Sequence, residues 1–253
     1  MPGPTIGERA LRYPAAGIID LRRGAQRHDP VADGASWGAR RRIRADVLRE
    51  VVLAPTDNGP VHPVHVIGAR IVGALDLSGQ QVRRPLLLEQ CFFDEDVRLE
   101  RTTLDSLSLR GSRLPRLHAV QVHVVGNLLL DEEFAATAVN LEGARIDGHL
   151  SLARARLTNP TGFALEGWAL RVDHGIRASG LRANGGIRLI GAIIEHGVTL
   201  TGAELVNEHG WALNAQGMTV GYGLFLGNSL RDPGGLTVTG GLRLIGVQVK
   251  GFV

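Results

Sequence analysis

From about Val61 onward, apolar and polar residues alternate in short runs, as at Leu150/Leu152, Leu170/Val172, Ile187/Leu189 and Val198/Leu200. Alternation with a period of two marks strands with one face buried. Single aliphatics recur between the pairs, as at Ile146, Leu152 and Leu157, and helical i, i+3, i+4, i+7 spacing is not sustained. Strands this short cannot stand alone.

Their partners are further copies of the same pattern. GARIDGHLSLARARLTNPTGFAL, starting at Gly143, returns 48 residues later at Gly191 as GAIIEHGVTLTGAELVNEHGWAL, without a gap. GGIRLIGAII at Gly185 returns 55 residues later at Gly240 as GGLRLIGVQV, and the turn chemistry of Asn228–Gly235 marks the place of the insertion. An earlier copy, GARIVGALDLSG, starts at Gly68. Half of the 48-residue unit is then one coil of short strands and corners. Coils stacked ~4.8 Å apart form parallel ladders with inward aliphatics piled in columns. The pattern predicts an all-β parallel β-helix over residues 61–253, with room for roughly eight coils at that spacing.

Residues 1–35 are rich in Pro, Gly, Ala and Arg and read as a loosely ordered segment. Residues 36–60 read as a capping helix and linker. Ser36 is placed to cap it, Pro55 to stop it, and Ile43, Val47, Leu48, Val51 and Val52 to share one face. Its expected role is to cover the open end of the first coil. The C-terminal residues are still inside the repeat. Either the coil continues in a longer native chain, or Val249, Phe252 and Val253 associate end to end with a partner or a second copy.

The residues Gly68 to Gly79, Pro85 to Phe93, Gly143 to Leu157 and Gly191 to Leu205 resemble the pentapeptide-repeat superfamily. More narrowly, they resemble a group of actinobacterial repeat proteins labelled "membrane-associated oxidoreductase". The resemblance covers most of the chain after Ser36. It implies a quadrilateral, right-handed β-helix with a helix before the first coil. The label would imply oxidoreductase activity, yet no cofactor motif accompanies it.

Composition narrows the chemistry. Aromatics are 4% of the chain, glycines number 34, and the formal net charge is +3. Cys91 is the only cysteine, so no internal disulfide and no cysteine-based zinc site can form. No signal peptide or apolar membrane span is evident, and the expected location is the cytoplasm, at most peripheral to a membrane. The cluster Arg40, Arg41, Arg42 and Arg44 would lie in the first turns of the expected helix, against the macrodipole. It is a candidate contact for phosphate, anionic headgroups or a partner, the alternative being a solvated face paired with Asp46 or Glu50. The acidic runs Asp94–Asp96 and Asp131–Glu133 read as outward corners, and Cys91 reads as a core thiol. His62 and His65 make a weak zinc signal, and the Gly221-Tyr222-Gly223 stretch continues into a strand where a dinucleotide site needs a helix. Phe163 and Trp211 follow matching N-x-x-G turns. They read as core fillers under a longer corner, with a contact strip as the alternative.

No catalytic, cofactor or metal residues are assigned. The leading expectation is a non-enzymatic scaffold or protein-interaction module, membrane-associated only through a further region or a partner. An oxidoreductase or carbohydrate-active enzyme working in a groove is the alternative. Gyrase-targeting DNA mimicry, and nucleic-acid binding generally, are disfavoured by the small, interspersed charge.

Overall fold

The protein is described by a computed structural model covering residues 4–12, 17–24, 29–55, 61–227 and 234–251. Its body is a parallel β-helix whose strands join three sheets of nine, eleven and eight strands, here sheets A, B and C. Among the described residues, the eight stacked strands of sheet C count eight windings. The seven steps between them span about 34 Å at ~4.8 Å each.

Each winding runs through sheet A, sheet B and then sheet C. Its inward residues form four columns. On sheet A the column runs Val64, Leu86, Leu107, Leu128, Leu150, Ile176, Val198, Leu224. On sheet C it runs Val82, Leu104, Val124, Ile146, Val172, Ile194, Val220, Val249. Sheet B supplies the other two. In Arg113–His118 and Ala135–Asn140 the buried positions are three apart, Leu114/Leu117 and Ala136/Val139, so each strand turns a corner between them. In the first two windings these halves are separate strands, Arg70–Val72 and Leu75–Asp76, then Phe92–Phe93 and Val97–Arg98. The cross-section is therefore four-sided. Full burial of one such aliphatic contributes about 1.5–3 kcal/mol.

Polar groups that enter the stack are matched locally. The Ser112 hydroxyl donates to the Leu88 carbonyl and accepts from the Cys91 N–H, and Thr102 Oγ1 donates to the Leu77 carbonyl. Cys91 points inward as expected, and burial pushes its thiol up to about 12.

The N-terminal end differs from the expected helix. The segment Arg42–Arg44 is a strand that pairs with Arg70–Val72 at the edge of sheet B. The helix, α2, is only Ala45–Leu53, and its N-cap residue is Arg44. Ser36 instead ends a 3-10 helix, Val31–Ser36. Sheet pairing explains the change. An unpaired strand edge on the first winding gains a full ladder from Arg42–Arg44, and this tertiary pairing overrides the helix propensity of its two arginines. Ala45, Leu48 and Val52 of α2 are buried in the core cluster and cover the first winding.

Nor are the described parts of residues 1–35 loose. A short helix, α1 (Ile6–Arg12), lies against the strand Arg42–Arg44, and Ile18–Asp20 adds to sheet A beside Val64–Ile67. Glu8 is 1% exposed and ties the two segments together. Its carboxylate accepts from the backbone N–H groups of Thr5 and Arg44 and from Arg44 Nε. Burial acts to raise this carboxyl, but those hydrogen bonds and the Arg44 charge outweigh it and hold it below the ordinary value. Most of the expected insertion, residues 228–233, lies outside the described residues.

Candidate functional site

The most elaborated surface is the outer face of sheet B. In the fifth winding the strand Arg156–Glu166 buries Leu157 and then Ala164, Leu165 and Glu166, while residues 158–163 leave the core. Asn159 closes this excursion by donating its Nδ2 to the Phe163 carbonyl at 2.8 Å. Two windings later Glu204–Asn214 does the same, with Asn207 Nδ2 donating to the Trp211 carbonyl at 3.1 Å. The windings that follow each excursion, Arg182–Arg188 and Thr237–Arg243, carry Gly185-Gly186 and Gly240-Gly241 at that place.

Both glycines of each pair are required by what crosses them. Gly185 and Gly240 have φ of +122° and +113°, and a side chain there would collide with the carbonyls of Asn159 and Asn207. A Cβ at Gly186 would lie 2.9 Å from the Phe163 ring, and one at Gly241 would collide with the Trp211 ring. Phe163 is paired in register with Gly186, and Trp211 with Gly241. A Cβ at Gly186 would also be 3.3 Å from the Trp211 carbonyl, so the two modules form one column of aromatic, glycine, aromatic, glycine. Each ring lies across the glycine of the next winding and stays about half exposed. Phe163 is 44% and Trp211 47% exposed, which corrects the expectation of core fillers.

A polar column runs beside the rings, through Asn140, Glu166, Arg188, Asn214 and Arg243. Arg188 is paired with Glu166 at 2.6 Å, and its guanidinium carbon lies 4.6 Å from the Phe163 centroid. The Arg243 guanidinium carbon lies 5.6 Å from the Trp211 centroid, and its Nε is buried without a hydrogen-bond partner among the described residues. On the N-terminal side of Phe163 a groove of about 380 Å³ is lined by Arg116, His118, Asn140, Glu142, Phe163 and Arg188, among others. A second groove on the same sheet, about 310 Å³, is lined by Phe92, Arg113, Ala135, Thr137 and Arg156, among others. Arg113 and Arg116 are exposed. The sheet-B strands from Arg113–His118 to Thr237–Arg243 carry six arginines against three glutamates, an excess equal to the formal +3 of the whole chain.

No family model matches the chain, and comparisons with curated proteins and with solved structures gave no match.

The expected arginine cluster does not converge. With Arg42–Arg44 in a strand, the argument from a helix first turn no longer applies. Arg41 is buried, bonds Asp29 and the Gly68 carbonyl, and lies over the Trp37 ring at 3.2 Å. Arg44 holds Glu8, Arg42 reaches the Trp37 carbonyl, and Arg40 is exposed. Arg41, Arg42 and Arg44 thus fix the N-terminal cap. The acidic runs are split among separate cations: Asp94 pairs with Arg70, Asp96 with His118, Asp131 with Arg110, Glu132 with Arg154 and Glu133 with Arg156. His65 meets Glu89, while His62 is exposed just before the strand Val64–Ile67. Val249 is 48% exposed in the last winding, and Phe252 and Val253 lie outside the described residues.

One cluster escaped the sequence reading. His149, His174 and His196 stack at the corner between sheets C and A, with ring centroids 5.1 and 5.8 Å apart. Arg177 Nη2 approaches His149 Nε2 at 3.1 Å. Arginine can only donate, so Nε2 accepts and the proton of the neutral ring sits on Nδ1. Burial, then the charges of Arg177, His174 and His196, lower the pKa of His149. Their place just before successive strand pairs was the available signal. Among the described residues, no group of three or more His, Cys, Asp or Glu is arranged to hold a metal ion.

Proposed function

We propose that the chain is a non-enzymatic β-helical scaffold that binds an elongated, acidic partner along the outer face of sheet B. The observation that carries this reading is the repeated module that holds Phe163 and Trp211 about half open to solvent on next-winding glycines, on a face with six arginines against three glutamates. Nine of the eleven aromatic side chains are described, and five of these are 43–48% exposed. A fold so poor in aromatics would bury them if packing alone governed their placement. Exposed aromatic and arginine side chains are the usual anchors of a binding surface.

Retention on a sulfated cation-exchange matrix tests the face. Reversing Arg113 and Arg116 to Glu is expected to lower the eluting salt more than reversing Arg83 and Arg101, which sit off sheet B. Equal shifts would mean the charge is not organised on that face, and the reading would fail.

A second reading, self-association, is favoured by the last described winding. Its strands have a neighbour on one side only, and Leu242, Ile245 and Val249 are 43%, 61% and 48% exposed. The first winding is covered by α2 and by the strands Ile18–Asp20 and Arg42–Arg44. Two copies would therefore meet through their last windings, a closed isologous contact. Sedimentation should show a concentration-dependent dimer that Ile245→Lys with Val249→Lys abolishes. A monomer at all concentrations would rule it out.

A further inference from the structure

We propose that the sheet-B track binds a linear acidic polysaccharide, with sugar rings resting on Phe163 and Trp211 and their carboxylates held by the adjoining arginines. This rests on the reading of sheet B as the binding face and names its occupant.

The spacing of the rings supports it. Phe163 and Trp211 stand in one column two windings apart, about 9.6 Å at the parallel-sheet spacing. That is close to one disaccharide unit of an extended β-1,4-linked glycan, in which every second sugar presents the same face. The C–H face of a sugar is apolar and its rim polar, so it suits a half-exposed ring flanked by donors. An extended peptide repeats its side chains on one face about every 6.6–6.8 Å and would meet one platform but miss the next. A polyproline II peptide repeats at about 9.3 Å per turn, so spacing alone does not dismiss it.

The polar column separates these two. Arg188, Asn214 and Arg243 occupy successive windings beside the rings, one polar side chain every ~4.8 Å. A uronate polymer offers one carboxylate and several hydroxyls per sugar, close to one acceptor set per winding. A polyproline II chain turns only one carbonyl in three toward a given side. The column is also donor-rich. Arg243 Nε is buried and unpartnered among the described residues, and Arg188 keeps part of its guanidinium exposed while paired to Glu166. The groove of about 380 Å³ extends the track toward the N-terminal windings, with Arg116 on its wall. The arginine excess of the sheet gives the charge complementarity that a neutral glycan would not use.

Calorimetric titration of the whole chain tests the proposal. The probes are a β-1,4-linked mannuronate hexasaccharide, a β-1,4-linked glucose hexasaccharide and an acidic proline-rich peptide of equal charge to the uronate. The uronate hexasaccharide is expected to bind saturably and more tightly than the other two. Trp211→Ala and Phe163→Ala should each weaken it about tenfold or more while the chain stays folded with a cooperative thermal transition, since each ring is about half exposed, and Arg243→Gln should weaken it with a smaller salt dependence. Binding that survives Trp211→Ala unchanged would be charge attraction alone and would overturn the proposal. Tighter binding of the peptide would overturn it too, while leaving the sheet-B face standing. Absence of binding by every probe would also overturn it, and the charge reversals described above would then judge the face itself.

Discussion

A methyl group at Gly185 has nowhere to go: it would strike the Asn159 carbonyl, on a backbone with φ of +122°. Gly191 also has a left-handed φ, +63°, but open space around it. Gly185→Ala should therefore cost about 2–4 kcal/mol and Gly191→Ala about 1 kcal/mol in urea unfolding. Equal costs would show that the excursion does not press on the next winding. His149 supplies a pH signature at the same scale. Its folded pKa lies below the ordinary value of 6.5, so the neutral ring favours the fold fully above that pH. This contribution is lost as pH falls through 6.5 toward the depressed folded value, because the unfolded chain takes up the proton first. Unfolding midpoints measured from pH 8 to pH 5 should drop less for His149→Gln than for the native chain. An identical drop would place the acid sensitivity elsewhere.

At the scale of elements, the N-terminal cap depends on one carboxylate. Removing it by Glu8→Ala leaves the N–H groups of Thr5 and Arg44 without their acceptor. Each such orphan costs about 1–3 kcal/mol. Amide exchange should accelerate in Arg42–Arg44 and in its neighbour Arg70–Val72 while the windings beyond Leu104 stay protected. Loss of protection throughout would instead make the cap a folding nucleus. The strands beyond Val61 were legible because period-two alternation reports burial on one face and the 48-residue repeat supplies the partner. The cap was not. Ile43, Val47, Leu48, Val51 and Val52 fit a helical face, but Ile43 belongs to a strand whose partner, Ile71, lies in the first winding. Local spacing carries no record of an edge that needs covering. The aromatic platforms were half legible for a related reason. The matching N-x-x-G turns revealed both excursions, but the exposure of Phe163 and Trp211 depends on Gly186 and Gly241, residues one winding away.

At the scale of the molecule, each winding touches only its neighbours, so stability is a chain of nearest-neighbour interfaces. The two ends of that chain are unequal. The first winding is sealed by Leu48 and Val52, each 2% exposed or less. In the last described winding, Leu224, Leu226, Leu236, Val238, Leu244 and Val247 are only partly buried. Residues with packing on one side gain roughly half the burial of a central winding. Opening should therefore begin at the C-terminal windings and advance toward the cap, as partial unfolding of the least stable cooperative unit. Hydrogen exchange should show the slowest amides in the central windings, near Leu104, Val124, Ile146 and Val172 on sheet C, with protection falling through Val220 to Val249. Leu150→Ala, a central core deletion worth about 2–5 kcal/mol, should raise exchange across the stack. Leu242→Ala, at a position already 43% exposed, should affect only the last windings. Protection that is uniform from end to end, or unmoved by either substitution, would mean the stack opens as a single unit. The platforms at Phe163 and Trp211 would then share the stability of the core rather than lying on the gradient between the covered first winding and the more exposed last described one.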